Sequence, residues 1–231
     1  MVKTFQHDQD AFTQGLLFYK GNLYESTGSP DNMPQTRSTL GVVNTDNGQL
    51  VVRAELDKNK YFGEGLAELD NKLYWVTWKN QTCFVYDATT FRRTGQFNYP
   101  NQEGWGLTVH DGFIVMSDGT YNLTYFDPKD FSVVKTLAVT RNGYGLDNLN
   151  ELEMINGYIY ANVWMTHRIV KIDPADGKVV GELDLTQLYN ESADIYPGLG
   201  ETNGIAYDAA GNRVLVTGKL WPRMYEIRFD W

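Results

Sequence analysis

The chain has 231 residues, with 20 Lys and Arg against 29 Asp and Glu for a net charge of −9. Apolar residues at 42% and charged ones at 21% describe a globular domain rather than a disordered chain. The acidity and the lack of a basic cluster argue against nucleic acid or an anionic membrane as partner, one cysteine excludes an internal disulfide, and no apolar run approaches the roughly 20 residues of a membrane helix.

Aromatic residues make up 14% of the chain, which favours strands. Residues 1–7 are short and strand-like, with no hairpin of their own. The first hairpin turns at Lys20-Gly21-Asn22, and residues 28–36, with two prolines, read as an exposed loop. The segments 40–44 and 50–56 flank Asp46-Asn47-Gly48, an Asn-Gly turn between alternating apolar strands. The pattern then recurs. Hairpins are predicted over 66–78, 84–97, 107–117, 124–139, 152–163, 169–185 and 205–217, and a last single strand over 224–229. Residues 186–202 break the rhythm: 186–191 predict a helical turn, which Pro197-Gly198 ends. Such an insertion either decorates a binding face or is a tolerated surface addition. No signal peptide precedes Lys3, which leaves the compartment open, an exported form included. The overall acidity is compatible with cationic peptides as partners.

One phrase, Phe62-Gly63-Glu64-Gly65-Leu66, recurs in variants: Thr13-Gln14-Gly15-Leu16, Gly104-Trp105-Gly106-Leu107, Leu149-Asn150-Glu151-Leu152 and Thr202-Asn203-Gly204-Ile205. Counted on the final residue of each, successive copies lie 50, 41, 45 and 53 positions apart. A period of about 40–50 residues with four strands each is the signature of a β-propeller. Five inner hairpins predict an all-β fold, a five-bladed β-propeller with four-stranded blades, as a single domain over 1–231. The C-terminal blade has three strands of its own, so the N-terminal strand is expected to complete it and remove an open sheet edge.

In an antiparallel hairpin the start of the first strand and the end of the second lie together. The five strand starts carry Gln14, Glu64, Trp105, Asn150 and Asn203; the five strand ends carry Gly28, Trp78, Gly119, Trp164 and Lys219. The members of the first four pairs are 14 residues apart, and those of the fifth 16, where the turn is longer. Ten positions thus converge on one rim of the channel. They comprise one carboxylate, one ammonium, three carboxamides, three indoles and two glycines. Unpaired polar groups are expensive to bury, so the set favours a ligand site. The glycines flanking Glu64 are expected to leave room for close approach to its carboxylate. Other chemistry has little support. His7, His110 and His167 occupy unrelated repeat positions, against a histidine metal centre. His7-Asp8 with Asp10 reads as a polar turn, and Cys83 as a buried strand residue. No phosphate-binding loop or nucleophile elbow is present. The sequons at Asn80, Asn122 and Asn190 decide nothing.

At these residues the chain resembles the plant- and bacterial-type glutaminyl cyclases (glutaminyl-peptide cyclotransferases). The matching phrases are Ala11-Phe12-Thr13-Gln14-Gly15-Leu16, Tyr61-Phe62-Gly63-Glu64-Gly65-Leu66, Gly104-Trp105-Gly106-Leu107, Leu149-Asn150-Glu151-Leu152-Glu153, Ala161-Asn162-Val163-Trp164 and Val216-Thr217-Gly218-Lys219-Leu220-Trp221-Pro222. They span nearly the whole chain in family order. The resemblance implies a five-bladed propeller, no catalytic metal, and cyclisation of the N-terminal glutamine of peptides or proteins to pyroglutamate with loss of ammonia. It carries over Phe12, Gln14, Phe62, Glu64, Trp78, Trp105, Asn150, Trp164 and Lys219 as active-site positions; Asn203 is added from periodicity. The 29–35 loop looks longer than the family's and 186–202 looks variable.

Within that reaction Glu64, as the rim carboxylate, is expected to hold the substrate amine and shuttle its proton. Lys219, Asn150 and Gln14 are expected to donate to the γ-oxygen, and the indoles to wall the pocket. Burial would raise the Glu64 pKa and Lys219 would oppose that. A structural cation in the channel stays open, and a closed ring points to a monomer. Two alternatives stand beside this reading. One is a non-catalytic propeller that holds peptide N-termini or organic cations in a tryptophan cage; the other, a calcium-dependent hydrolase, needs more rim carboxylates than Glu64 alone.

Overall fold

Alternating apolar residues separated by turn signals produce 22 strands and one helix over the described residues, 1–229, of a computed structural model. The chain opens on β1 (Lys3–Gln6). Blade 1 is β2 (Phe12–Tyr19), β3 (Asn22–Gly28), β4 (Thr39–Val43) and β5 (Leu50–Glu55). Blade 2 is β6 (Gly63–Leu69), β7 (Lys72–Thr77), β8 (Thr82–Asp87) and β9 (Arg93–Asn98). Blade 3 is β10 (Leu107–His110), β11 (Phe113–Ser117), β12 (Asn122–Phe126) and β13 (Val133–Ala138). A small ribbon, β14 (Thr140–Arg141) with β15 (Tyr144–Gly145), leads into blade 4: β16 (Leu149–Ile155), β17 (Tyr158–Val163), β18 (Arg168–Ile172) and β19 (Val179–Asp184). Helix α1 (Thr186–Ala193) precedes β20 (Thr202–Asp208), β21 (Arg213–Gly218) and β22 (Arg223–Ile227). Blade 5 has the order β20-β21-β22-β1, so the N-terminal strand closes the ring as the repeat count predicts.

Tight turns set the register of the inner hairpins. The pairs Lys20-Gly21, Asp70-Asn71, Asp111-Gly112 and Asn156-Gly157 all have positive φ at both residues. That is the mirror-image turn whose twist matches a right-twisted hairpin. Asp70-Asn71 does this without glycine, helped by Asn71, whose N–H donates to Glu68 Oε1 at 2.7 Å.

The core lies between blades. Four seams each bury ten or eleven apolar side chains, but the seam joining blade 5 to blade 1 buries only six: Leu16, Leu23, Val43, Ala206, Leu215 and Met224. A polar lock supplements it. His7, just past β1, faces the Glu25 carboxylate through Nε2 (3.1 Å) and the Trp221 carbonyl through Nδ1 (2.8 Å). The carbonyl accepts, and so does the carboxylate when ionised; with Glu25 ionised both ring nitrogens donate and the ring is an imidazolium. Thr13 Oγ1 donates to the same carboxylate at 2.7 Å. Asp8 Oδ1 accepts the Asp10 N–H, which makes 8–10 the polar turn expected.

Two loop expectations change. The 28–36 loop is not simply exposed: Gly28, Ser29 and Thr36 are buried, and Ser29 Oγ donates to Thr36 O at 3.1 Å. In the 186–202 insertion, eight residues are helical. Leu188 packs into the seam of blades 4 and 5, and Ser192 meets the Tyr225 hydroxyl at 2.9 Å. The helix therefore covers an apolar seam, while the end of the insertion, Gly200 and Glu201, lies against Lys219 of the rim.

Candidate active site

The recurring phrase is a strand irregularity. Pairing of the inner strands skips between Thr13 and Gly15, Gly63 and Leu66, Leu149 and Leu152, and Thr202 and Ile205. The residues left out of register include Gln14, Glu64, Asn150 and Asn203. A bulge leaves its extra residue unpaired and re-aims the side chain, here toward the axis. In blade 3 the Trp105 N–H donates to Ser117 O, and the regular strand begins only at Leu107.

The unpaired backbone groups are satisfied from the next blade, all the way round. Ser26 of blade 1 donates to Glu64 O (2.7 Å), and the Gly65 N–H of blade 2 to Trp105 O (2.6 Å). Ser117 of blade 3 donates to Asn150 O (2.7 Å). Asn162 Oδ1 of blade 4 accepts the Gly204 N–H (3.0 Å), and Asn203 Nδ2 of blade 5 donates to Thr13 O (3.0 Å). The glycines belong to this stitching. A Cβ on Gly65 would lie 2.4 Å from Trp105 O, and one on Gly63 2.6 Å from the Trp75 ring. They admit neighbouring protein, not ligand, which corrects the expectation that they leave Glu64 open to approach. In the position where four copies carry Gly15, Gly65, Gly106 and Gly204, blade 4 carries Glu151. Its buried carboxylate accepts the N–H groups of Leu16 (3.3 Å) and Ile205 (2.9 Å), so one side chain joins three blades at the axis.

Above this floor lies a cavity of about 550 Å3. Nine of the ten expected site residues line it: Gln14, Glu64, Asn150 and Lys219 toward its polar end, with Phe12, Phe62, Trp78, Trp105 and Trp164 as aromatic wall. The rings fall into two contacting groups. Phe12 meets Phe62 edge-on at 6.2 Å, Phe62 meets Trp78 at 5.7 Å, and Trp105 meets Trp164 at 5.5 Å. Two glycines of the rim seat these rings: a Cβ on Gly28 would strike Phe62, and one on Gly119 would strike Trp105. Asn203 is the exception. It sits behind the lining, and its Nδ2 donates to Gln14 Oε1 at 3.0 Å. Gln14 Nε2 in turn donates to Glu64 Oε1 at 3.0 Å. Asn203 therefore fixes the orientation of the Gln14 amide and does not line the cavity, its Nδ2 being engaged by Thr13 O and Gln14 Oε1 of blade 1.

Glu64 is buried among these groups. Burial drives its carboxyl well above the ordinary carboxylate range; Lys219 pulls it back and Glu103 pushes it further up. Lys219 makes no direct pair with Glu64. Its ammonium lies 3.7 Å from Glu201 Oε2 and 5.0 Å from the centre of the Phe12 ring. Glu64 is the one carboxylate of the ten rim positions, but two further acids stand nearby: Glu103, whose charge acts on Glu64, and Glu201, beside Lys219.

The sequence model of the family described as Glutamine cyclotransferase matches residues 1–229. The chain belongs to that family. It is 39% identical over 231 residues to the glutaminyl-peptide cyclotransferase of Arabidopsis thaliana, covering 99% of this chain and 70% of that protein. The crystal structure of Myxococcus xanthus glutaminyl cyclase superposes with a TM-score of 0.91 at 37% identity, over 100% of this chain and 95% of that one. The WD40 β-propeller domain of Doa1, at 12% identity and TM-score 0.52 over 93% of this chain and 63% of that one, shares the fold alone.

For this cyclotransferase-family chain the most informative side chain missed in the sequence is Glu103. One of its oxygens, Oε2, accepts the indole N–H of both Trp78 (2.8 Å) and Trp105 (2.9 Å). It lies between phrases, outside the repeat positions that singled out the rim. The cavity also extends past the rim to loops that periodicity does not mark, among them Lys58, Asn59, Lys60, Lys79 and Asn80.

Proposed function

We propose that the chain acts as a glutaminyl-peptide cyclotransferase, with Glu64 carrying the proton of the reaction. The substrate is a peptide or protein with N-terminal glutamine; the products are the pyroglutamyl peptide and ammonia. The observation that carries the reading is a buried carboxylate of raised pKa at the closed end of an aromatic cavity, in a chain of the glutamine cyclotransferase family.

The chemistry follows from what each group offers. The reaction is intramolecular, so folding the glutamine side chain back on its own amine supplies most of the proximity. The aromatic wall from Phe12 to Trp164 restricts the side chain and excludes water. The amine, ordinarily of pKa about 7.7–8.0, attacks only when neutral. A carboxylate whose pKa burial raises well above the ordinary range is a stronger base than an ordinary carboxylate and exchanges protons with the amine and the leaving group more readily. As the amine nitrogen bonds to the γ-carboxamide carbon, its proton passes to Glu64, and charge develops on the γ-oxygen. Glu64 then returns the proton to the departing nitrogen, the C–N bond breaks, and ammonia leaves. Gln14 holds the carboxylate through its Nε2 contact, so it serves Glu64 first. This leaves Lys219 and Asn150 as donors to the γ-oxygen. Asn203 acts through Gln14.

Each proton and each developing charge is handled by a side chain, which supports catalysis without a metal; activity retained after chelation is the check. Completion of blade 5 by the chain's own β1 supports a monomer. The test of the function is stoichiometric. A Gln-initiated peptide should yield one ammonia per pyroglutamyl product. Hydrolysis to glutamate, or tight binding with no ammonia, is the outcome that rejects it.

A further inference from the structure

Glutamine alone does not use the whole cavity. Beyond the Glu64 end it opens between three segments, 29–32, 58–62 and 78–80. In a chain of net charge −9 this mouth is oppositely charged: its charged residues are Lys58, Lys60 and Lys79 against Asp31. Among the described residues none of the three lysines has a carboxylate partner within ion-pair distance.

The lysines stand on fixed supports. Asp57 Oδ1 accepts the Asn59 N–H, and the Lys60 and Tyr61 N–H groups both donate to Asp57 O, which sets the 57–61 turn. Trp78 donates its backbone N–H to Phe62 O at 2.9 Å, and this ties that turn to the Lys79 loop. The Lys79 ammonium lies 3.7 Å from the Trp78 ring centre, and Lys60 lies 5.0 Å from that of Tyr61. The Lys60 and Lys79 ammonium groups are therefore held against aromatic rings of the mouth, with Lys58 on the same turn, where a peptide with its glutamine at Glu64 leaves the cavity.

We propose that this mouth is a subsite for acidic side chains at the second and third positions of the substrate. The inference rests on the cyclotransferase reading, because glutamine at Glu64 is what orients the peptide. Exposed ammonium groups attract a carboxylate within a screening length of about 8 Å at physiological salt. Each such pair is weak, so the bias comes from three lysines acting together. Lys58, Lys60 and Lys79 give the mouth the opposite preference to that suggested by the net acidity of the chain, which points to cationic peptides.

Three peptides decide the matter: Gln-Glu-Glu, Gln-Ala-Ala and Gln-Lys-Lys amides, assayed for ammonia at low and at high salt. The acidic peptide should exceed the basic one in kcat/KM by roughly tenfold at low salt, and the gap should narrow at high salt. The combined substitution Lys58→Glu, Lys60→Glu and Lys79→Glu should invert the order. Equal kcat/KM for all three peptides, or an order that survives the substitutions, overturns this proposal while leaving the cyclotransferase reading intact. Ammonia from none of them overturns both.

Discussion

Glu103 shows how one side chain acts on a site it does not line. A single carboxylate oxygen fixes two indoles on neighbouring blades, and its charge helps to hold the Glu64 carboxyl high. Two substitutions separate these effects. In Glu103→Gln the amide oxygen still accepts both indole N–H groups but the charge is gone. KM should stay near that of the unmodified chain, while the kcat/KM limb governed by Glu64 moves to lower pH. In Glu103→Ala the indoles lose their anchor and KM should rise several-fold. Steady-state pH profiles of both variants are the check; identical behaviour of the two would deny the division. At this scale the sequence was legible where periodicity reaches. Gln14, Glu64 and Asn150 were found by counting from a repeated Leu or Ile. Glu103, Glu201 and the mouth lysines were not, because they sit in connections whose length varies from blade to blade.

The elements show the same limit. Hairpins were readable because Asn-Gly and Asp-Gly turns stand between alternating strands, and the chain order of the blades followed. The bulges were not, since a bulge is a relation between two strands and has no mark on one of them. Their consequence, that the glycines receive protein backbone, was hidden for the same reason. The lock on the closing strand left one unused trace: Glu25 occupies the position that pairs with Leu16, where the other blades place Trp75, Met116, Ala161 and Val216. Burial alone would lower the His7 pKa, but Glu25 and the Trp221 carbonyl together raise it above its ordinary 6.5. The folded state then binds the proton more tightly than the unfolded chain. The lock's contribution is complete below about pH 6.5 and is lost as pH rises through the folded-state value. A His7→Gln variant should be less stable by about 3–5 kcal/mol at pH 6, and its deficit should shrink at alkaline pH. Urea unfolding at several pH values measures this; a deficit independent of pH contradicts a charged lock.

The whole molecule is a ring that must close, and it closes through its thinnest apolar seam. Four seams are joined by covalently consecutive blades. The fifth depends on β1 pairing with β22 along Lys3–Gln6 and on the His7 contacts. Removing residues 1–7 should therefore lower the melting temperature far more than trimming a loose terminus does; an unchanged melt would mean that β1 is not structural. The stitched floor beneath the cavity depends on the same closure, because Asn203 of blade 5 reaches Thr13 and Gln14 of blade 1. Ring closure and the setting of Glu64 are thus one property, and loss of β1 should depress activity before the blades themselves unfold.

In the proposed mechanism the ring holds one buried carboxylate, Glu64, at an aromatic cavity where it moves the proton of cyclisation. Glu64→Gln keeps the size of the side chain and an oxygen for Gln14 Nε2. It also removes a buried carboxyl whose raised pKa makes the folded state less stable as pH rises, so the variant should fold and melt no lower than the parent. The decisive measurement is its kcat for ammonia release from a Gln-initiated peptide. A fall of about 10²- to 10⁴-fold with an intact melting curve is the predicted result; turnover close to that of the unsubstituted chain would remove Glu64 from the mechanism.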